Sequence, residues 1–561
     1  MKSRNIWIAP LTAAFFLSAC AGYFEAPVEP FEYEREAAYA AAISHTSDRL
    51  KSDVAFLADD ALQGREAGTP GYDAAADYVA ARLAGLGVAP GANGEWFQRV
   101  PFRTSGDATE PYAMSITFPD GETLTFDNPE DFVVFPSLAF PAAELEAPAV
   151  FAGFGVHAPR FGHDDYAGLD LDGKIVVRFG GAPDTFDSEE RAHFGSGATK
   201  AQTAAAEGAV GVVTIYTGAA EQRFPWARAQ RSPVSRSTSW VRPDGEPDVS
   251  GPGIVVSALL SPEAAGPLFE GAPKSYAEVR AEADAPGGAP AGFDLPITIS
   301  LEGAVETEDF SSANVVGVIE GTDPALRNEA LVITAHLDHI GVRAPFADDG
   351  PDADLINNGA MDNALGVAML IETAKRFQDG PPPARTVVFL AVTAEEKGLL
   401  GADYFVHYPT LGDKTIVANV NLDMPVMLHE FTDIVAFGGE RSELGEIAEA
   451  ALADIGVTIS PDPLPEQGIF TRSDHYRFVE KGVPSIFLWP GFANGGEEVL
   501  LNFLAEHYHQ PSDDMALPVL WEQAARFADV KFRIAREIAD APDAPKWLEG
   551  DFFGELFSDT D

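Results

Sequence analysis

Three nearly continuous apolar runs in the C-terminal half of the chain constrain its fold more than any other feature. They are LVITAH (331–336), TVVFLAVTA (386–394) and TIVANVNLD (415–423). Runs this uniform are typical of strands that are buried on both faces of a sheet. A helical pattern from about Asp362 to Phe377 separates the first two runs, and the PPP at 381–383 ends it. This order predicts an α/β domain with a mostly parallel central sheet flanked by helices.

The pattern changes along the rest of the chain. PSIFL (484–488) predicts another buried strand, and Val519 to Ala539 predicts a long terminal helix. Near the N-terminus, helical patterns cover Ser47 to Asp59 and Gly71 to Leu86. Between about 103 and 300, short β-type runs alternate with glycine- and proline-rich breaks. We therefore expect a β-rich segment inserted into the α/β domain.

A length of 561 residues is too great for one ordinary domain, and 46% hydrophobic with 22% charged residues is typical of a globular protein. We predict an α/β domain over 301–545, which takes its N-terminal helices from 44–102 and carries the insert 103–300. The predicted flanking segments are an export signal at 1–20, an acidic tether at 21–43 and an acidic tail at 546–561. The formal charge of -50 argues against nucleic-acid binding, because phosphates would be repelled.

The first twenty residues have the features of an export signal. Lys2 and Arg4 precede an apolar stretch of about 12 residues, which is too short to cross a bilayer. The stretch ends in LSAC and resembles the lipobox of a bacterial lipoprotein, in which Cys20 would be acylated. An ordinary secretory signal is the alternative. We expect an exported protein, either held on a bacterial membrane facing the periplasm through this lipid anchor alone or released outside the cell. Cys20 is the only cysteine, so intrachain disulfides are excluded.

Side chains that commonly bind metal ions recur through the C-terminal half. They are His336 in AHLDH, Asp362 in NGAMDNALG, Glu396 in TAEEKGLLG, Asp423 in VNLDM and His509 in HYHQPSD, with Glu395 directly before Glu396. Imidazoles and carboxylates suit a pair of zinc-like ions, and a free carboxylate beside a ligand suits a general base. Three of these residues, His336, Glu396 and Asp423, lie at or just past the C-terminal ends of predicted strands, at the edge where α/β sheets form their sites. The pattern predicts a two-metal hydrolase.

Each residue taken alone also has a structural explanation. Asp362 is placed as a helix N-cap, and the Glu395–Glu396 pair would stabilise a helix N-terminus. His336 and Asp338 share one face if the segment is extended, so the Asp338 carboxylate is positioned to accept the second N–H of the imidazole. His339 is a weaker candidate. The spacing of His507 and His509 leaves open which of them would bind metal.

The motifs together resemble a known family. AHLDH, NGAMDNALG, TAEEKGLLG, NLDM, RSDHYRF and YHQPSDD occur in the order found in co-catalytic zinc aminopeptidases related to glutamate carboxypeptidase, over residues 310 to 541. Residues 44–100 resemble the N-terminal helices of that family. The insert resembles a protease-associated domain, chiefly at GFGVHAPRFGHDDYAGLDLDGKIVVRFGG and AAAEGAVGVVTIY.

This resemblance implies an aminopeptidase that uses two Zn²⁺ ions to hydrolyse N-terminal peptide bonds of peptide substrates. It implies that His336 and Asp423 bind one zinc ion, that Glu396 and His509 bind the other, and that Asp362 bridges the two. Glu395 would be the general base, and Asp338 would orient His336. Tyr508 would stabilise the oxyanion, and Arg472 would bind the substrate. The resemblance also selects His509 over His507. The sequence departs from the family at Met361 and in a longer loop at 342–358.

Three alternatives stay open. A carboxypeptidase acting on acidic dipeptide-like substrates would use the same ligands. An acyltransferase similar to glutaminyl cyclase would use the same fold with one metal. A receptor-like homologue would have no activity, although such proteins usually have ligands replaced and here all are present.

Overall fold

The computed structural model describes residues 30–215, 217–218, 225–230, 234–345, 350–453 and 455–557, and for 30–37 only the backbone. The predicted signal, its Cys20 and the start of the predicted tether lie outside the described residues. Within the described ranges, no helix combines the length and apolar character needed to cross a bilayer.

The helices and strands follow the chain in this order. The helices are α1 (Pro30–Leu57), α2 (Pro70–Gly85), α3 (Ser188–Gly195), α4 (Gly197–Ala206), α5 (Trp226–Ala229), α6 (Tyr276–Ala283), α7 (Leu365–Asp379), α8 (Leu400–His407), α9 (Leu444–Leu452), α10 (His475–Val479), α11 (Gly496–Glu506), α12 (Trp521–Asp540) and α13 (Phe552–Phe557). The strands are β1 (Ala89–Pro90), β2 (Phe97–Thr117), β3 (Thr123–Phe126), β4 (Phe132–Pro136), β5 (Ala142–Phe151), β6 (His157–Ala158), β7 (His163–Asp164), β8 (Ile175–Phe179), β9 (Gly211–Ile215), β10 (Thr238–Trp240), β11 (Val256–Leu260), β12 (Phe293–Ile319), β13 (Glu329–His336), β14 (Thr386–Val392), β15 (Thr415–Asn421), β16 (Asp433–Phe437), β17 (Thr458–Ser460) and β18 (Ser485–Pro490).

The C-terminal half forms the predicted α/β sheet. Its strands lie in the order β17-β16-β18-β15-β13-β14-β12, and β14, β13, β15 and β18 run parallel to their neighbours in this set. The strands β12 and β16 pair antiparallel with β14 and β18 and so flank this parallel core on its two sides. The fold class predicted from the sequence is confirmed.

The uniform apolar runs are strands buried on both faces, as predicted, because helices cover both faces of this sheet. Val387 and Phe389 of β14 pack on the side of α1, α7 and α12, whereas Val388 and Leu390 pack on the side of α8 and α10. Every residue of β14 is buried. A polar residue at any of these positions would lose its water without gaining a partner, which explains the missing alternation.

The insert is joined to the α/β domain by two long strands. The antiparallel pair of β2 and β12 runs through both predicted insert boundaries, at 102/103 and 300/301. Within the insert, β5, β8, β9 and β11 form a parallel set that continues the same 16-stranded sheet through β12. The two parts therefore share one hydrogen-bonded sheet.

The segments predicted to flank the folded body contribute to it. Helix α1 begins at Pro30, inside the stretch predicted as a tether, and Ile43 is buried against the core. In the predicted acidic tail, Phe552 and Phe553 of α13 are buried as well. Large apolar side chains stabilise these segments, since burying one contributes about 1.5–3 kcal/mol.

Candidate metal centre

Three adjacent parallel strands bring the first set of site residues together. His336 is the last residue of β13, Glu395 and Glu396 follow the end of β14, and Asp423 follows the end of β15. Because β13 lies between β14 and β15 and parallel to both, their carboxyl ends meet at one edge of the sheet.

Asp362 lies between two histidines. Its Oδ1 is 3.2 Å from Nε2 of His336, and its Oδ2 is 3.3 Å from Nε2 of His509. The alternative explanation of Asp362 as a helix N-cap is not seen, because α7 begins only at Leu365 and Asp362 lies in the preceding turn. The carboxylate of Asp513 holds this turn by accepting hydrogen bonds from the amides of Met361 and Asp362, at 2.9 and 3.0 Å.

Each histidine contacts a second carboxylate of its own. Nε2 of His336 is 3.0 Å from Oδ1 of Asp423, and Nε2 of His509 is 3.1 Å from Oε2 of Glu396. The result is two histidine–carboxylate pairs with Asp362 between them. The five residues predicted as metal ligands are thus brought together by the fold.

The hydrogen bonds of His336 show that this donor set fits a cation. Its Nδ1 is 3.1 Å from the backbone carbonyl of Asp338, which can only accept, so Nδ1 carries a proton. In the neutral imidazole, Nε2 then directs a lone pair at the oxygens of Asp362 and Asp423. Two lone-pair acceptors 3.0–3.2 Å apart repel each other unless a proton or a metal ion lies between them. A divalent cation satisfies all three ligands at once.

Asp338 acts differently from its predicted role. The Asp338 carbonyl, rather than the carboxylate, accepts from His336. The carboxylate instead accepts from the amide of Glu395 at 3.1 Å and from that of Glu396 at 3.4 Å. Asp338 therefore connects the histidine to the segment that carries both glutamates.

Glu395 is partly buried beside the ligands and faces the same pocket. Removal from water raises the pKa of its carboxyl well above the ordinary value, and Glu396 adds to the effect. A carboxyl group with a raised pKa holds and releases a proton closer to neutral pH than an exposed glutamate does.

The structure places His507 and His509 in different surroundings, and only His509 faces the other candidate ligands. The Nδ1 of His507 lies 2.9 Å from Oγ of Ser512. His509 faces Asp362 and Glu396, and its own φ of 56° is in the left-handed region. A non-glycine residue whose backbone adopts this conformation is strained by about 1–3 kcal/mol, so the conformation persists only where the surrounding structure requires it. The ring of Tyr508 stacks on that of His509, with centroids 3.9 Å apart.

Two further residues contact the candidate ligands: Ser473, which was not predicted, and His339, which was only a weaker candidate. Ser473 donates to Oδ2 of Asp423 at 2.6 Å and accepts from Nδ2 of Asn421 at 2.7 Å. His339, the weaker candidate, is buried with its Nδ1 2.7 Å from Oε1 of Glu396. The signal in the sequence was that Ser473 belongs to the motif RSDH and His339 to the motif AHLDH.

An open pocket of about 600 Å³, including solvent at its mouth, adjoins the predicted metal ligands. Its apolar lining consists of Met424, Leu464, Ile469, Phe487, Trp489 and Leu504. Arg472 and Tyr508, both predicted to act on substrate, also line it. Burial raises the pKa of the Tyr508 hydroxyl, so this group keeps its proton and is able to donate a hydrogen bond.

Arg65 holds two of the ligand segments from the N-terminal part of the chain. This fully buried guanidinium donates to the carbonyls of Leu337, Asn358 and Gly359. Leu337 follows His336, and Gly359 lies three residues before Asp362. The guanidinium of Arg65 thus holds the segments that carry His336 and Asp362 in position relative to each other.

We predict that Arg65→Met lowers the free energy of unfolding by about 3 kcal/mol, because buried carbonyls lose their donors. Urea unfolding followed by circular dichroism measures this. The control is Arg103→Met, which removes an ion pair to the exposed carboxylate of Asp309 and should cost under about 1 kcal/mol. Equal losses in the two variants would contradict the role assigned to Arg65.

Comparison with known proteins agrees with this geometry. Residues 314–535 match the family model described as Peptidase family M28. The aminopeptidase YwaD of Bacillus subtilis (strain 168) is 28% identical over 227 residues, which cover 39% of this chain and 44% of that protein. The alkaline phosphatase isozyme conversion protein of Escherichia coli (strain K12) is 33% identical over 98 residues, 17% of this chain and 26% of that protein. The chain thus spans less than half the length of these curated relatives.

A solved structure supports the fold over most of the chain. An aminopeptidase from Aneurinibacillus sp. strain AM-1 aligns with a TM-score of 0.50 and 20% identity, over 89% of this chain and 95% of the other. At that identity the likeness concerns the fold alone. The part of the chain that is similar to peptidase family M28, residues 314–535, contains most of the α/β sheet and the candidate ligand set at its edge.

Proposed function

We propose that the protein is a zinc-dependent exopeptidase, and specifically an aminopeptidase that removes N-terminal residues with apolar side chains. The observation that supports this most directly is the position of Asp362, with one carboxylate oxygen facing the His336–Asp423 pair and the other facing the His509–Glu396 pair. One carboxylate shared by two donor sets is the arrangement expected for two ions.

His336, Asp423 and Asp362 would hold one zinc ion, and His509, Glu396 and Asp362 the other. Bound zinc supplies Lewis acidity, which polarises a carbonyl group and makes water a stronger acid. Glu395 takes a proton from the attacking water and later delivers it to the leaving amine. The hydroxyl of Tyr508 donates a hydrogen bond to the negative charge that develops on the carbonyl oxygen.

The pocket lining supports the proposed substrate class. Phe487, Trp489 and Ile469 offer an apolar surface to the side chain of the N-terminal residue. A free α-amine, which an internal peptide bond lacks, would have room to bind at the base of the pocket beside the proposed zinc ions and Glu395. An apolar N-terminal residue with a free amine therefore fits the site better than an acidic one.

One observation favours a second candidate. Arg472 is exposed in the lining of the pocket, where a guanidinium is suited to a substrate carboxylate. This is the group that a carboxypeptidase acting on acidic dipeptide-like substrates would need.

The test is hydrolysis of leucine, phenylalanine and glutamate anilides and of N-blocked acidic dipeptides, with and without a zinc chelator. We expect leucine and phenylalanine anilides to have a kcat/KM about tenfold or more above that of the glutamate anilide. The chelator should abolish all turnover, and the active protein should contain two zinc ions by elemental analysis.

Other outcomes would each remove part of the proposal. Cleavage of the blocked dipeptides alone would show a carboxypeptidase. A single zinc with cyclisation of N-terminal glutamine would favour the acyltransferase. Two bound zinc ions without cleavage of any substrate would favour the receptor-like homologue.

A further inference from the structure

We propose that the insert and the C-terminal helix α13 together position one wall of the substrate pocket, with Arg441 as the residue that joins them. This wall is the segment 464–472, called the pocket wall below. The effect on substrate rests on the proposed peptidase function, whereas the positioning itself does not.

The pocket wall has little regular structure of its own. Leu464, Gln467, Ile469 and Arg472 line the pocket, and they lie on two 3₁₀ turns joined at Gly468, whose φ is 57°. The backbone hydrogen bonds here are local, such as Gln467 to Leu464 and Arg472 to Ile469. Single turns of this kind define their own shape but not their position relative to the sheet, so neighbouring elements must position the wall.

Helix α3 of the insert packs directly on the pocket wall. The hydroxyl of Ser188 donates to the carbonyl of Pro465. At Gly468, an added Cβ would lie 2.5 Å from the Cβ of Ala192, so the backbone approaches the helix as closely as glycine allows. Further along α3, Nδ1 of His193 lies 2.6 Å from the hydroxyl of Tyr476, in the helix that follows the wall.

Arg441 joins this helix to the C-terminal segment. Its guanidinium is 2.9 Å from the carboxylate of Glu189, 3.2 Å from that of Glu190 and 3.1 Å from that of Asp551. The arginine side chain is only 10% exposed, and the three carboxylates are buried to a similar degree. Without the arginine, three buried carboxylates would repel one another, so the cation determines whether α3 and the residues before α13 stay together.

Phe470 transmits this arrangement to the pocket. The guanidinium of Arg441 lies over the rings of Phe470 and Phe553, with distances of 5.7 and 4.9 Å to their centroids. The two rings are 5.5 Å apart, and Phe470 is fully buried between the pocket-lining residues Ile469 and Arg472. Moving Phe470 therefore moves the residues on both sides of it.

The metal ligands are held by other groups. His336, Glu396 and Asp423 lie at the ends of β13, β14 and β15. The carboxylates of Asp338 and Asp513 hold the backbone amides of Glu396 and Asp362. Loss of the Arg441 contacts should therefore change substrate binding while leaving the metal site in place. Arg441 is in this sense a positioning residue.

The experiment compares Arg441→Met, Arg441→Lys and Ala192→Leu with the wild-type holoenzyme. Ala192→Leu pushes on Gly468 without changing any charge, and it keeps the test valid if Arg441→Met does not fold. Ala206→Leu, at an exposed position of α4, is the matched control. For leucine anilide we expect Arg441→Met and Ala192→Leu to raise KM about tenfold with kcat and zinc content unchanged, and Arg441→Lys to recover part of the loss.

Hydrogen exchange of the amides in 464–472 provides a readout that needs no turnover. Exchange there should accelerate in Arg441→Met and Ala192→Leu and stay at the wild-type rate in Ala206→Leu. Unchanged exchange in both variants would overturn the proposal, as would faster exchange with an unchanged KM. If the wild type cleaves no substrate, the proposed function fails, and the exchange rates alone still decide whether Arg441 positions the wall.

Discussion

Glu395→Gln is expected to keep two bound zinc ions and to lose peptidase turnover by about 10³- to 10⁴-fold. Glutamine fills the same space as glutamate, and the backbone N–H of residue 395 still donates its hydrogen bond to Asp338. The side chain, however, can neither take a proton from water nor return one to the leaving amine, so both proton transfers lose their carrier. The measurement is kcat for leucine anilide, together with zinc content by elemental analysis.

The matched control is Glu498→Gln on α11, where the same change is made at an exposed position. It should leave kcat and zinc content at wild-type values. A near-normal kcat in Glu395→Gln would show that another group carries the proton. Loss of zinc from that variant would show that Glu395 is a ligand instead.

The sequence predicted the catalytic half of the fold well because burial on both faces leaves a strong pattern. The strands expected at 331–336 and 386–394 are β13 and β14, within two residues at each end. The long strands β2 and β12 were not predicted as continuous strands, since Pro101 and Pro111 interrupt the pattern of β2 and Pro296 that of β12. A pattern read over a few residues does not show that one long strand pairs in both the insert and the α/β domain.

The site was predictable as a set of residues but not as a set of contacts. Motif order identified the residues that the fold brings together around Asp362. The interactions that hold them connect distant parts of the chain, such as Asp513 with the amide of Asp362 and Arg65 with the carbonyl of Leu337. Spacing carries no information about such pairs. The Asp338 carbonyl was missed as the partner of His336 because backbone groups leave no trace in the sequence.

Asp362→Ala is expected to weaken zinc binding at both positions by at least about 100-fold. Among the described residues, Asp362 is the carboxylate within ion-pair distance of both His336 and His509, so its removal takes a donor from each set. Competition with a fluorescent zinc chelator measures the affinity. Asp352→Ala, at an exposed position in the loop between the first two ligands, should bind zinc as the wild type does.

Thermal unfolding distinguishes a lost ligand from a damaged fold. Zinc that binds only the folded state raises the melting temperature of the wild type, since binding free energy adds to stability. Asp362→Ala should show a much smaller zinc-dependent rise in melting temperature than the wild type at the same zinc concentration. Without zinc, Asp362→Ala loses the ion pairs of Asp362 with His336 and His509, so the variant's own metal-free form is the reference for its zinc-dependent rise. A zinc-dependent shift as large as that of the wild type would contradict the bridging role, since the two histidine–carboxylate pairs would then each hold an ion without Asp362.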